Sequence, residues 1–354
     1  MFTRVEPAVH GALDFAELER LGIQPDEVLD FSVNSNPFGP SPAVRAAIAA
    51  APLDRYPDRE SLALRRALAE RLGCLSEQIL VGNGTAELIW LAAFANLAAG
   101  DQALILGPTF GEYERSIQIM KASAQNLNAS VASSFQPNIP EIDQKLDSTN
   151  FQVVFLCNPN NPTGQVLSIE TIGAWADAHP ETLFIVDEAY LAFVGGMESA
   201  LQLRRVNILV LRSMTKDYAL AGLRLGYAVG DEQVIQKLTA IRPPWNVNAL
   251  AQAAGLAALN DETHQQVTLA QLQEEKHLLL EGLTALEFAP LPSRTQFFLI
   301  PVENGATFRK GLLRQAILVR DCASFGLPRH VRISPRKHAE NLRLLETLKK
   351  LGVR

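Results

Sequence analysis

The strongest constraint on this chain lies in residues 184–227, where two short apolar runs each end in polar residues. The runs F-I-V and I-L-V-L are too short for helices and rich in Val, Ile and Leu, which predicts strands buried on both faces. Asp187 and Tyr190 follow the first run, and Ser213 and Lys216 follow the second. Ligands bind beyond the carboxyl ends of parallel strands, so we expect these four polar side chains to converge.

A further segment, G-L-R-L-G-Y, brings Arg224 to the same place on a third predicted strand. Taken singly, Asp187 and Lys216 could simply end strands as solvated surface ions. Together, an amine, a carboxylate, a hydroxyl and an arginine suit pyridoxal 5′-phosphate, which needs a lysine for its aldehyde, an acid for its ring nitrogen and donors for its phosphate. The motifs D-E-A-Y, S-M-T-K and G-L-R-L-G-Y resemble, in order and spacing, those of the fold-type-I pyridoxal-phosphate enzymes, the aminotransferase class I/II superfamily.

The resemblance implies an α/β fold, with a three-layer α/β/α large domain on a mostly parallel sheet and a smaller α+β domain. A chain of 354 residues suits two domains. We expect an N-terminal arm over residues 1–44 that joins the small domain, a large cofactor-binding domain over residues 45–255, and a small C-terminal domain over residues 256–354. A long helical pattern from about Glu262 to Leu286 is expected to join the two domains.

Composition excludes several other classes of protein. The net charge of −6 argues against a nucleic-acid partner. No apolar run is long enough to span a bilayer, and the first ten residues lack the apolar core of a signal peptide. The three cysteines fall in unrelated contexts without metal-like spacing, so we expect no metal site and a reducing, cytoplasmic location.

A glycine-containing turn at I-L-V-G-N-G-T-A-E joins a predicted strand to an apolar helix, an arrangement that favours an anion at the helix start. A dinucleotide-binding enzyme is the rival interpretation. The dinucleotide-binding fingerprint, G-x-G-x-x-G, requires glycine at its sixth position. If Gly82 is the first position, the sixth is Glu87. The resemblance assigns Gly84, Thr85 and Ala86 to the phosphate of pyridoxal phosphate.

Other motifs are assigned to the cofactor by the resemblance alone. Phe110 follows a predicted strand, where an aromatic is more often a core residue; the resemblance implies that it stacks on the pyridine ring. Asn161, in N-P-N-N-P-T-G, could only cap a turn. The resemblance implies that Asn161 and Tyr190 bond the phenolic oxygen of the cofactor. It also implies that Tyr56, in R-Y-P-D, reaches the cofactor phosphate of a partner subunit, which predicts a homodimer with sites at the interface.

Two arginines lie at positions where strands are predicted near the end of the chain, Arg320 in I-L-V-R-D-C and Arg332 in H-V-R-I. Either could be an ordinary surface arginine. The resemblance implies that Arg332 binds a substrate carboxylate, since a guanidinium group binds carboxylates through two parallel hydrogen bonds. It assigns Arg320 to a substrate phosphate, and Asn34 and His10 to the substrate as well.

Two related groups of the superfamily share these features, the L-threonine O-3-phosphate decarboxylases and the histidinol-phosphate aminotransferases. Both act on small phosphorylated substrates. The segments R-D-C, W-N-V-N and S-M-T-K-D-Y-A favour the decarboxylase, whereas His10-Gly11-Ala12-Leu13 departs from its His-Gly-Gly-Asn signature. We therefore predict the decarboxylase of cobalamin biosynthesis first and the aminotransferase as the alternative. A non-catalytic pyridoxal-binding module, as found in some regulators, is a third and more remote alternative, because such a module would need a fused DNA-binding segment and we find none in the sequence.

Overall fold

The computed structural model describes residues 8–352, so the first seven residues of the predicted arm and the last two of the predicted small domain lie outside the described residues. The helices are α1 (Phe15–Leu21), α2 (Pro42–Ala50), α3 (Leu62–Leu72), α4 (Gly84–Asn96), α5 (Glu112–Ile119), α6 (Ile139–Ser148), α7 (Ile169–Ala178), α8 (Glu232–Ile241), α9 (Ala249–Leu259), α10 (Glu262–Ala285), α11 (Gly305–Leu313) and α12 (His338–Leu351). The strands are β1 (Leu29–Asp30), β2 (Ile79–Gly82), β3 (Gln102–Gly107), β4 (Ser123–Asn128), β5 (Val153–Cys157), β6 (Leu183–Asp187), β7 (Ile208–Ser213), β8 (Gly226–Val229), β9 (Phe298–Pro301), β10 (Ile317–Leu318), β11 (Arg320–Asp321) and β12 (His330–Ile333).

A seven-stranded sheet in the order β2-β8-β7-β6-β5-β3-β4 forms the centre of the molecule. The neighbours from β7 to β4 pair in parallel, and β8 runs antiparallel to both β2 and β7. Every residue of β5 and β6 is buried, as expected of strands covered on both faces. The predicted α/β fold with a mostly parallel sheet is therefore confirmed.

Helices cover both faces of this sheet because residues along each strand alternate in direction. On one face, α4, α5 and α8 pack through Leu88, Ile117 and Ile235. On the other, α6 and α7 pack through Ile142 and Trp175. The result is a three-layer arrangement whose parallel strands present their carboxyl ends at one edge.

The position of Arg224 differs from the prediction in one respect. It does not lie on a strand: it precedes β8 and has a left-handed backbone, with φ of +56°. Because β8 runs antiparallel, its first residue Gly226 pairs with Ser213 at the end of β7. Arg224 consequently still arrives at the edge where Asp187 and Ser213 lie.

A second layer follows helix α10, which runs from Glu262 to Ala285 and so matches the predicted long helix within one residue. Here β11, β12 and β9 form an antiparallel sheet in which Arg320 and Arg332 are direct partners. The segment I-L-V-R-D-C, predicted as one element, divides into two strands of different sheets, and β10 pairs with β1 instead. This pairing joins the N-terminal segment to the C-terminal layer.

Both predicted domain boundaries cut a helix. The boundary at residue 44 falls inside α2, where Val44 packs in the same apolar cluster as Leu64. The boundary at residue 255 falls inside α9, whose Ala258 packs in that cluster too. We propose that the large domain extends from α2 to the end of α9, since packing in one core is what defines a domain.

Candidate active site

A cleft of about 560 Å³ opens between the carboxyl edge of the central sheet and the antiparallel C-terminal sheet. Nine side chains predicted from the sequence line this cleft: His10, Asn34, Phe110, Asn161, Tyr190, Lys216, Arg224, Arg320 and Arg332. They come from both sheets and from the N-terminal segment, so tertiary folding gathers residues more than 300 positions apart. The cleft is the candidate active site.

Lys216 is the amine in this cleft, on the turn that follows β7. Burial lowers its pKa to about 8, and the positive charges of Arg332 and Arg224 act in the same direction. Asp187 opposes this shift through its negative charge. A lysine with this pKa is neutral in a large fraction of molecules near pH 8, which is what a nucleophilic amine requires.

Asp187, the last residue of β6, is buried and has two hydrogen-bond donors. The Tyr113 hydroxyl donates to Oδ2 at 2.8 Å, and the Ala189 amide donates to Oδ1 at 3.0 Å. Burial raises the pKa of Asp187 to about 6, while these two bonds and the charge of Lys216 act in the lowering direction. Asp187 is thus a carboxylate held in one orientation, in electrostatic contact with Lys216.

Tyr113 was missed by the sequence analysis. Its ring is fully buried and stacks on Phe155 with 5.1 Å between ring centroids. It also meets Phe110 edge-on at 5.9 Å. The sequence feature that could have indicated Tyr113 is its position one helical turn after Phe110. This spacing brings both rings to the same face at the start of α5.

The glycine turn after β2 forms a cradle with Arg224. Gly84 has a φ of +78°, and a Cβ there would lie 2.7 Å from Arg224 Nη2. A Cβ on Gly226 would lie 2.9 Å from the Thr85 amide nitrogen. Glycine at both positions therefore lets the guanidinium and the first amides of α4, at Thr85 and Ala86, share one small space. An exposed helix start beside an arginine suits a phosphate group.

Ser213, also predicted to bind the cofactor, is buried at the end of β7. Its Oγ lies 2.7 Å from Thr215 Oγ1. Because a hydroxyl donates one proton and accepts others, this pair keeps hydrogen-bonding capacity for a further group.

Arg332 and Asn161 are hydrogen-bonded to each other in the cleft. The Arg332 guanidinium donates to Asn161 Oδ1 and to the main-chain oxygen of Ser32. Nearby, Asn34 Nδ2 donates to the Tyr190 hydroxyl at 3.3 Å. Burial raises the pKa of Tyr190, and the charge of Arg332 acts against that rise. Tyr190 is consequently a proton donor for whatever anion the cleft receives.

Arg320 contacts the N-terminal segment. Its guanidinium donates to the main-chain oxygens of Val9 at 2.7 Å and His10 at 3.1 Å, and to Ser324 Oγ at 2.7 Å. His10 Nε2 lies 2.8 Å from Oε1 of Glu112, a buried residue that the sequence analysis did not single out. The imidazole of His10 thus faces α5 rather than the arginines.

Tyr56 lies outside the cleft of its own chain. Its side chain is 79% exposed and stacks on Trp245, which is 45% exposed, with 4.8 Å between ring centroids. Leu53, three residues earlier in the chain, is 81% exposed. The predicted contact of Tyr56 with a partner subunit stays a prediction.

Asp217 offers a test of the electrostatics next to the site. Burial raises its pKa to about 6, as it does for Asp187, and its Oδ1 has no hydrogen-bond partner. A folded-state pKa above the ordinary 3.8 means that the folded protein binds the proton more tightly than the unfolded chain. The tighter proton binding by Asp217 stabilises the folded protein fully below about pH 4, and this stabilisation is lost as pH rises through about 6.

Replacing Asp217 by Asn removes this buried charge. At about pH 8 we expect Asp217→Asn to increase the free energy of unfolding by up to about 3 kcal/mol, with little difference from the parent at about pH 4. Urea denaturation of the cofactor-free protein at both pH values measures this. Equal stability gains at the two pH values would contradict a raised pKa.

No group of three or more His, Cys, Asp or Glu side chains in residues 8–352 is arranged to hold a metal ion. No helix in the same part of the chain is long and apolar enough to cross a membrane.

The sequence profile of the family described as "Aminotransferase class I and II" matches residues 26–348. The chain belongs to this family. The resemblance drawn from the motifs is thereby confirmed, together with the enzyme class that it implied. The family match covers both sheets and all residues that line the cleft except those of the N-terminal segment, residues 8–12.

Three known proteins illustrate the similarity. A histidinol-phosphate aminotransferase of Anaeromyxobacter sp. (strain Fw109-5) is 36% identical over 330 residues, covering 91% of this chain and 90% of that protein. The crystal structure of histidinol-phosphate aminotransferase from Sinorhizobium meliloti in complex with pyridoxal-5′-phosphate shares the fold, with a TM-score of 0.86, 24% identity and 99% coverage of both chains. The structure of L-threonine-O-3-phosphate decarboxylase from Porphyromonas gingivalis has a TM-score of 0.78 and 27% identity over 91% of this chain and 98% of that one.

These comparisons bear on the order of the two predicted reactions. The sequence relative, 36% identical, is named for the aminotransferase. The aminotransferase and decarboxylase structures are similar to this chain to about the same degree, at 24% and 27% identity. The sequence relative therefore favours the reaction that was predicted second.

Proposed function

We propose that this enzyme uses pyridoxal 5′-phosphate to move an amino group between a small phosphorylated amine of the histidinol-phosphate type and a 2-oxo acid. The observation that carries the proposal is the charge of the cleft. Lys216, Arg224, Arg320 and Arg332 line it, and Glu114 is the one acid among its described lining residues. Such an excess of positive charge favours ligands that carry phosphate or carboxylate groups.

The residues present fit the cofactor. Lys216 would hold its aldehyde, Asp187 would face its ring nitrogen, and Phe110 would cover the ring. Asn161 and Tyr190 would bond its phenolic oxygen, and its phosphate would occupy the cradle formed by Gly84, Thr85, Ala86, Ser213 and Arg224. When bound there, pyridoxal phosphate supplies an electron sink that weakens the bonds at the substrate Cα.

The side chains of the protein would then orient the substrate and move one proton. Arg332 would bind a carboxylate of the 2-oxo acid through two parallel hydrogen bonds, with Asn34 beside it. Arg320 would bind the phosphate of the substrate. This phosphate would compete with the main-chain oxygens of Val9 and His10 for the guanidinium group. Lys216, with its pKa lowered to about 8, would accept a proton from Cα as a general base.

Two parallel incubations test this proposal. Histidinol phosphate with 2-oxoglutarate should yield glutamate, and L-threonine O-3-phosphate should yield little carbon dioxide or aminopropanol phosphate. The opposite result would restore the decarboxylase, which the 27% identity to such an enzyme supports as the second candidate. Turnover of neither substrate, or turnover of unphosphorylated amino acids only, would contradict a site that binds the substrate phosphate.

Arg320→Gln should separate recognition of the phosphate from the chemistry. We expect kcat/KM for histidinol phosphate to fall by roughly 10²-fold, because a charge-assisted contact to a phosphate is lost, while kcat/KM for histidinol changes little. Steady-state kinetics on both substrates measure the ratio. Arg314→Gln, which removes an exposed arginine from the end of α11, is the matched control and should change neither value. A parallel loss on both substrates in Arg320→Gln would contradict the assignment.

We further propose a homodimer in which Tyr56 reaches the partner's cofactor phosphate. The exposed pair of Tyr56 and Trp245 and the neighbouring exposed Leu53 support this, since such an apolar group is typical of an interface. Tyr56→Phe should weaken cofactor binding, and mixing it with Lys216→Ala chains should restore one intact site per mixed dimer. A fully active monomer on a sizing column would rule out shared sites.

A cytoplasmic location is also proposed. Cys74, Cys157 and Cys322 are all unpaired, as is typical of proteins from reducing compartments. Cell fractionation would test this, and recovery of the protein outside the cytoplasm would contradict it.

A further inference from the structure

Asn36 lies beside the candidate active site but was not assigned a role above. It is only 4% exposed, and its main-chain amide, its side-chain nitrogen and its side-chain oxygen all have partners. Its main-chain amide donates to the Lys216 main-chain oxygen at 2.9 Å. Its side-chain Nδ2 donates to the Asp217 main-chain oxygen at 3.1 Å, and Oδ1 accepts from the Phe38 amide at 3.1 Å. Asn36 therefore holds both main-chain oxygens of the Lys216–Asp217 segment.

The second proton of Asn36 Nδ2 links this segment to helix α10. It is donated to Oγ1 of Thr268, a buried residue of α10, at 2.8 Å. The other end of α10 packs through Leu279 and Leu283 into the apolar cluster beneath the sheet that carries Arg332. A chain of short contacts thus connects the turn that bears Lys216 with the layer that bears the substrate arginine.

Asparagine is the side chain that satisfies all three partners. Two acceptors and one donor face it, which requires an amide with two N–H groups and one oxygen. Aspartate lacks the donors, serine has one, and glutamine is longer by a methylene. Two residues earlier, Asn34 donates to the Tyr190 hydroxyl.

We propose that Asn36 is a positioning residue that fixes the main chain of Lys216 against helix α10, so that the amine and the substrate arginine keep a constant separation. The inference rests on the proposed role of Lys216. A lysine side chain has four rotatable bonds, so its amine is placed accurately only if its main chain is held and its path is confined. Asn36 supplies the first of these conditions.

Asn36→Ala tests the inference, because it removes the side-chain bonds to the Asp217 main-chain oxygen and to Thr268 but keeps the main-chain bond to Lys216. We expect kcat to fall by roughly 10- to 100-fold, as misplacement of a reacting group by about 1 Å does, with a much smaller change in KM because Arg320 and Arg332 are untouched. The midpoint of the pH titration of the bound cofactor's visible absorbance should rise. A less confined Lys216 nitrogen is better hydrated, and hydration favours its protonated form. Borohydride should still attach the cofactor at Lys216.

Thr268→Val is the second test variant, should Asn36→Ala fail to fold. It removes the hydroxyl that accepts from Asn36 and that also donates to main-chain oxygens of its own helix. It should shift kcat and the titration midpoint in the same direction by less. Thr284→Val is its matched control, because the Thr284 hydroxyl bonds only the Leu280 main-chain oxygen of the same helix at 2.8 Å. Thr284→Val should leave both quantities unchanged.

The outcomes separate three possibilities. A lower melting temperature with unchanged kcat and titration midpoint, in Asn36→Ala or in Thr268→Val, would make Asn36 a purely structural residue and overturn the inference. Equal changes in Thr268→Val and Thr284→Val would do the same. Failure of borohydride to label Lys216 in the parent protein would instead overturn the proposed function, whatever the Asn36 variants do.

Discussion

Replacing Lys216 by alanine is expected to abolish covalent attachment of the cofactor and to lower turnover by roughly 10⁴-fold. The variant loses both the amine that holds the aldehyde and the general base, and a general base alone contributes about 10²–10⁴-fold. Borohydride reduction followed by peptide mass spectrometry measures the attachment, and glutamate release from histidinol phosphate and 2-oxoglutarate measures turnover. The parent protein should carry the adduct on Lys216.

Lys276→Ala is the matched control for this experiment. Burial lowers the pKa of Lys276 to about 8 as well, but its Nζ donates to the main-chain oxygens of Ser293 at 2.9 Å and Thr295 at 2.5 Å. It resembles Lys216 in its pKa but does not line the cleft. Lys276→Ala should keep the adduct and the activity. An adduct that persists in Lys216→Ala, or that maps to Lys276, would refute the assignment of Lys216.

Asp187→Asn is expected to lower kcat by roughly 10²–10³-fold while the protein keeps its fold. The carboxylate is buried and interacts electrostatically with the Lys216 amine. Its charge would keep the cofactor's ring nitrogen protonated, and the loss of one such electrostatic group costs about this much. Asparagine has nearly the same shape, and its oxygen can still accept from the Tyr113 hydroxyl. Steady-state kinetics and thermal unfolding of the same preparations measure the two effects.

Asp217→Asn is the control for the loss of a buried carboxylate in general. Its pKa is raised to about 6 by burial, as that of Asp187 is, but its carboxylate accepts from Gln265 Nε2 and does not line the cleft. It should retain near-parent kcat and gain stability at alkaline pH. If Asp187→Asn and Asp217→Asn lose equal activity, or if Asp187→Asn keeps normal turnover, the role of Asp187 as partner of the ring nitrogen is wrong.

Much of the candidate site could be predicted because its residues follow buried strands. Apolar runs that end in polar residues place those residues at one edge of a parallel sheet, whatever the rest of the chain does. Lys216, Asn161 and Tyr190 line the cleft for this reason, and Asp187 interacts with Lys216. The family match then confirmed the class that these motifs indicated.

Other contacts had no local signal. Tyr113 is 74 residues from the carboxylate that it bonds, and its position in an ordinary helix start resembles that of any core aromatic. Asn36 is separated from Thr268 by 232 residues, and Arg320 from Val9 by 311. Such pairs depend on where whole layers dock, and a pattern within a window of ten or twenty residues carries no information about docking.

The sequence by itself determined the family, the parallel sheet and the residues that carry the chemistry, because strand burial and turn residues are properties of short segments. Only the tertiary structure decided that Arg224 precedes an antiparallel strand, that Arg320 and Arg332 are partners across one sheet, and that Asn36 holds the main chain of Lys216. The physical reason is that these arrangements are set by burial of apolar faces between distant segments. Side chains carried on those segments come together as a consequence of that packing.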